Sequence, residues 1–179
     1  MAAFTVIDHT ELTGTTASWS KTSIPSSYDH LYLCWSARSD HSGGPTYRDA
    51  IYCNVNGDTS SSDYSMTHLF TGSATPASYR SSGVSAWTDF ADNPASLALA
   101  DTFGTGSMWL PNYANTANFK QCYANSATEN DSTTDYRWGI QVIAGLWTNT
   151  AAVTALALTL QNGDFVQYST FTLYGVTGA

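Results

Sequence analysis

Positive charge is nearly missing from this sequence. Lys21, Lys120, Arg38, Arg48, Arg80 and Arg137 stand against 14 acidic residues, for a net charge of −8. Binding nucleic acid by neutralising phosphates needs a basic stripe, so that class of partner is excluded. Long apolar runs are missing too. None approaches the ~20 residues of a membrane-spanning helix, so no membrane partner is expected. Met1-Ala2-Ala3-Phe4 has neither the basic start nor the apolar stretch of a secretory leader, and none is expected. Amphipathic helix patterning is scarce. The best candidate, Pro94 to Asp101, is about two turns long. Cysteine is limited to Cys34, Cys53 and Cys122, with no C-x-x-C pair, and these read as small buried hydrophobes.

What remains is polar without being charged. Charged residues make up 11%, hydrophobic residues 42% and aromatics 13%, and Ser, Thr, Asn and Gly are abundant. That is too apolar for disorder and suits β-strands whose solvent faces carry hydroxyls and amides. A chain of 179 residues fits one domain, 1–179, burying ~70% of the surface its unfolded chain exposes. No linker or internal repeat is visible.

Period-two alternation recurs along the chain. Phe165 to Val176 reads as the final strand, with Phe171 and Leu173 on the core side and Thr170, Thr172 and Tyr174 opposite. Asn162-Gly163-Asp164 precedes it, and Val153 to Leu160 reads as the other arm of a hairpin. In Tyr28 to Ser39, Leu31, Leu33, Trp35 and Ala37 share one side, and His30, Tyr32, Cys34, Ser36 and Arg38 the other. Both sides carry bulk, which makes this a central strand. Other strands are expected at Phe4 to Leu12, Ala17 to Ile24 around Trp19, Ala50 to Val55, Tyr64 to Thr71, Phe103 to Pro111, Asn118 to Ala127 and Tyr136 to Trp147. Gly72 to Pro94 has no clear period and reads as a long irregular segment, the kind that often carries function. Roughly 8–10 short antiparallel strands separated by turn residues predict an all-β fold, a β-sandwich of the jelly-roll type ahead of a barrel.

Motifs for chemistry are sparse. His9, His30, His41 and His68 have no metal-ligand spacing. Asn54-x-Asn56-Gly57-Asp58 with Asp63 resembles a calcium loop but lacks the acidic first ligand and the closing glutamate, so a hairpin turn is the better reading. Asp131 and Asp135 fall under the same reasoning. There is no G-x-S-x-G, and most carboxylates sit in turn contexts where they accept local backbone N–H groups. No catalytic residue, metal or cofactor is assigned. Aromatics are the one group in excess. Tyr79, Trp87, Phe90, Trp109 and Tyr113 lie in or beside irregular segments and are the candidate partner contacts. Such rings either pack a core or subunit interface, or stand exposed to anchor a protein or stack on a sugar.

Several blocks in order carry a family likeness: I-P-S-S-Y-D-H-L-Y-L at Ile24 to Leu33, S-A-R-S at Ser36 to Ser39, V-N-G-D at Val55 to Asp58, F-G-T-G-S-M-W-L-P-N-Y at Phe103 to Tyr113, A-G-L-W-T-N-T-A-A-V-T at Ala144 to Thr154 and N-G-D-F-V-Q-Y-S-T-F-T-L-Y-G-V at Asn162 to Val176. The chain resembles small virion proteins of tailed bacteriophages, a group that includes capsid decoration (cement) proteins and tail-fibre tip modules. The resemblance implies a β-sandwich without enzymatic activity. The short, free-standing chain favours a cement protein made in the host cytoplasm and seated on the outer capsid surface. Its expected partners are the major capsid protein and further copies of itself, a trimer ahead of a dimer. The alternative is a fibre tip gripping host-cell glycan through the Gly72 to Pro94 segment.

Overall fold

A computed structural model describes residues 3–43, 47–72, 75–129 and 139–178. Among them the chain is all-β, with twelve strands: β1 (Ala3–Glu11), β2 (Ser18–Lys21), β3 (His30–Ala37), β4 (Arg48–Val55), β5 (Tyr64–Gly72), β6 (Thr75–Val84), β7 (Trp87–Pro94), β8 (Gly104–Pro111), β9 (Lys120–Ala127), β10 (Ile140–Trp147), β11 (Leu156–Leu160) and β12 (Thr170–Thr177). They form two antiparallel sheets. The large one runs β1-β12-β3-β8-β9-β10-β5-β6 and the small one β2-β11-β4-β7. The chain keeps changing sheet: β1, β3 and β12 belong to the large one, and β2, β4, β7 and β11 to the small one.

The sheets face each other across one apolar core. Strand β3 lies between β12 and β8, and of the two sides the alternation separates, Leu31, Leu33, Trp35 and Ala37 form the buried one. Phe171 and Leu173 of β12 and Met108 and Leu110 of β8 extend that surface. Opposite them stand Trp19, Ile51, Cys53, Val55, Leu156 and Leu158. Trp19 stacks on Phe171 with ring centroids 5.4 Å apart, joining the sheets directly. Each large side chain buried this way contributes about 2–3 kcal/mol.

The strand count exceeds the expected 8–10 because the described part of the segment read as irregular, 75–94, forms β6 and β7. The two C-terminal strands are not a hairpin. β11 pairs with β2 and β4, whereas β12 pairs with β1 and β3. The Asn162-Gly163-Asp164 turn crosses between sheets and is anchored on buried Asp49, which accepts from Asn162 N–H (3.2 Å), Asn162 Nδ2 (3.1 Å), Gly163 N–H (2.9 Å) and Ser39 Oγ (2.8 Å). The last strand starts at Thr170, after Tyr168 takes a positive φ of 70°, while Phe165 only bridges Thr16 and Ser39. Asn56-Gly57-Asp58 is likewise a turn between sheets, not a hairpin, with Asp58 N–H donating to Val55 O at 2.9 Å. Pro94 to Asp101 forms no helix. After β7 ends at Pro94 it makes two tight turns, Ala98 N–H to Ala95 O and Thr102 N–H to Leu99 O, held by Arg38 on the carbonyls of Ala98, Leu99 and Thr102. Residues 44–46, residues 136–138 of the strand expected from Tyr136, and Asp131 and Asp135 lie outside the described residues.

Trp35 needs space beside it, and its register partner is Gly106. A Cβ added there would run into the Trp35 ring and the Asn125 carbonyl. Gly106→Ala is expected to destabilise the protein by about 2–3 kcal/mol through overpacking. Gly14→Ala, with nothing within 4 Å, should leave the urea midpoint nearly unchanged.

Candidate interaction surface

The large sheet has a second face, and period two determines what it carries. With Leu31, Leu33 and Trp35 turned inward, His30, Tyr32, Cys34 and Ser36 point outward. Register then aligns Val6, Tyr174, Tyr32, Trp109, Tyr123, Ala144, Thr67 and Arg80 in one row crossing all eight strands. Four consecutive members are aromatic. Tyr32 lies 6.4 Å from Tyr174 and 6.3 Å from Trp109 between ring centroids, Phe4 packs edge-on to Tyr32 and Tyr174, and His30 sits 4.9 Å from Trp109. His30 Nδ1 accepts from Asn112 N–H at 3.2 Å, fixing that ring.

Aliphatic side chains continue the face beyond the aromatics. Ile140, Val142, Leu69 and Pro76 surround a hollow of about 190 Å³. Between it and the aromatic rank runs an open trough of about 500 Å³, walled by Tyr32, Tyr123, Ile140 and Val142 and floored by Cys34, Thr105, Ser107 and Asn125. Phe4, Val6, Leu69, Tyr123 and Ile140 are each 51–60% exposed. Patches of this kind on a soluble protein mark contact sites.

Charge avoids this face. Of the described acids only Glu11 sits on it, and Arg80 is its one formal cation. Asp29, Asp40, Asp58, Asp63, Asp101, Glu129 and Asp164 lie in turns and loops at the rims. Asp8 pairs with Lys21 at 3.1 Å toward the small sheet.

The five aromatic residues singled out in the sequence do not come together. Trp109 belongs to the outer row. Tyr79 is half-buried on β6, stacked on His68 with centroids 4.3 Å apart and donating its hydroxyl to Asp89 at 3.0 Å. Trp87, Phe90 and Tyr113 are fully buried, which removes them as candidate partner contacts and leaves the core-packing alternative for them. The reason is a bulge in β7. Cys53 pairs with Trp87 and Ile51 with Ala91, so three residues oppose Tyr52 alone, and Asp89 takes a φ of 51°. Trp87 and Phe90, three apart, therefore both turn into the core, where Trp87 donates to Leu146 O at 3.1 Å. Tyr113 turns in after β8 and donates to Pro25 O. Substituting these residues reports on stability, not on binding. Tyr32, Tyr123, Tyr174 and Phe4 were missed, because a row of rings from strands distant in sequence appears only when topology and register are known.

The interior also holds polar groups. Asp92 is fully buried, accepting from Arg48 at 2.7 Å and from Gln141, and burial pushes its carboxyl up to about 7 despite the Arg48 charge. Burial pushes His68 down to about 4. Both His68 ring nitrogens, both Asn93 side-chain atoms and Ser126 Oγ have no hydrogen-bond partner. Cys53 and Cys122 are buried free thiols raised by burial, and Cys34 is half-buried in the trough. Among the described residues no three His, Cys, Asp or Glu side chains converge to hold a metal ion. Comparison with known protein families, curated proteins and solved structures finds no match.

Asp92 and His68 act on stability in opposite directions. Folded Asp92 keeps a proton that the unfolded chain releases near 3.8, so its contribution falls as pH rises from about 4 to about 7. Folded His68 lacks a proton that the unfolded chain holds below 6.5, so its contribution rises from about pH 4 to 6.5. Urea midpoints across this range separate them. Asp92→Asn should show stability rising with pH to about 6.5, and His68→Phe should show it falling toward about 7.

Proposed function

We propose that this chain is a structural protein of a tailed-bacteriophage virion, a capsid decoration protein with a jelly-roll fold. The observation that carries the reading is the exposed, nearly uncharged aromatic face of the large sheet on a protein most of whose described acids lie in turns and loops at the rims. A surface of that size and chemistry fits assembly better than turnover of a substrate. The blocks that resemble phage virion proteins also supply the row: Ile24 to Leu33 contributes Tyr32, Phe103 to Tyr113 contributes Trp109, and Asn162 to Val176 contributes Tyr174. The jelly-roll assignment is supported by strand order. β1-β12-β3-β8 and β2-β11-β4-β7 are two interleaved four-stranded sets, and β9-β10 and β5-β6 widen one of them.

In this reading the acidic rims dock on a basic surface of the major capsid protein, and copies of the chain contact one another on the outside of the capsid. Many weak contacts repeated over a lattice hold as one. A fibre-tip role is the second reading. The trough favours it, because aromatic walls over Ser, Thr and Asn side chains suit a sugar ring.

Mixing the purified protein with capsids that lack it, followed by electron microscopy, tests the proposal. Saturable density at regular lattice positions is expected, weakening as salt is raised because the docking is electrostatic. No capsid density, with binding to the tail or to host cells instead, rejects the decoration role in favour of the fibre tip.

A further inference from the structure

We infer that the outer face of the large sheet is the contact between two copies of this chain, packed face to face about a two-fold axis. The inference rests on reading that face as an assembly surface and names what covers it. Charge decides the partner. Each copy carries a net charge of −8, so two copies repel except where charge is absent, and this face has one carboxylate on eight strands. A basic capsid surface would instead be met by carboxylates, which lie at the rims. A glycan would engage the polar-floored trough alone, which leaves Val6 and Leu69, outside it, as exposed hydrocarbon at 54–55%.

Size agrees. Eight strands spaced ~4.8 Å apart, each turning about four residues outward at ~6.8 Å intervals, give a face of ~38 by ~20 Å, or ~750 Å². Stable interfaces bury about 800 Å² per partner. A single self-matching face produces a closed pair, whereas a trimer needs two different complementary patches. Edge-to-edge pairing of the large sheet is disfavoured. Strand β1 is bulged between Val6 and Asp8 and carries Asp8, His9 and Glu11, and β6 carries Pro76 and Arg80.

Sedimentation equilibrium of the full chain tests this, with Tyr123→Asp and Ile140→Asp as variants. Both positions are more than half exposed, so the monomer fold should survive, which far-ultraviolet circular dichroism and the urea midpoint verify. The wild type is expected as a dimer at micromolar concentration, and each variant should weaken dimerisation at least ~100-fold, as central hot-spot residues do. A wild-type monomer, a trimer, or a dimer indifferent to both substitutions overturns the inference. So does a monomer that binds host polysaccharide through the trough. A monomer that still decorates capsids overturns this inference and leaves the virion role standing. A dimer lost in the variants but blind to capsids supports the inference and removes the virion role.

Discussion

An eight-stranded sheet has two faces, and this fold supplies a partner for one. The small sheet covers the inner face, where Trp19 on Phe171 and Phe90 beside Trp35 close the gap. Packing two twisted sheets against each other is what makes the strands hold together, since isolated hairpins are marginal in water. The outer face follows as a consequence. Every strand that presents a core residue inward must present its neighbour outward, so a wide sheet with a narrow partner has a broad face whose chemistry is free to be set by something other than folding.

The alternation between sheets adds a second constraint. β1 pairs with β12, and β11 reaches back to β2 and β4, so the pairing that holds the chain is mostly between distant segments. Crossing points then need local anchors. Asp49 is one, a buried carboxylate whose oxygens take four donors and fix the turn that carries the chain from β11 toward β12. Asp92 is a less comfortable one. It gains Arg48 and Gln141, but the burial that brings them also disfavours its charge, and the side-chain polar atoms of adjacent Asn93, and of Ser126 opposite Gln141, make no hydrogen bond. The polar contact from Asp92 to Gln141 sits on the same strand as Trp87 and Phe90, which pack on Tyr64 and Trp35 of the large sheet.

Much of the inner face was legible in the sequence because it obeys period two. Leu31, Leu33, Trp35, Phe171 and Leu173 alternate cleanly and all point inward. Legibility failed where a backbone irregularity changed the period. The bulge at Asp89 put Trp87 and Phe90 on the same side three residues apart, and the Ser, Gly and Asp around them imitate a loop. A change of direction was legible at Asn56-Gly57 and at Asn162-Gly163, but the hairpin read from each was wrong, because a turn signal does not say whether the next strand stays in the sheet or leaves it. The outer row was invisible for a related reason. Tyr32 was placed on the side opposite Leu31, Leu33 and Trp35, yet bulk on both sides of β3 reads as burial on both sides until the other sheet is found to be on one side only.

The composition of the outer face argues against accident. A purely solvent-facing sheet is served by Thr, Ser, Lys and Glu, and a second buried face by Val, Ile and Leu. This one mixes Tyr, Trp, Thr and Asn with a few aliphatics. Tyr and Trp offer a large apolar area with one polar atom, so the rings can remain hydrated in a lone molecule and still lose little conformational entropy on being covered. Phe4 meets Tyr32 and Tyr174 edge to face, and Tyr32 lies tilted against Tyr174 and Trp109, so the surface is organised before anything meets it. A pre-ordered, uncharged platform on a molecule whose carboxylates are held to the rims separates two kinds of contact: one that excludes water, and one that works through charge at a distance.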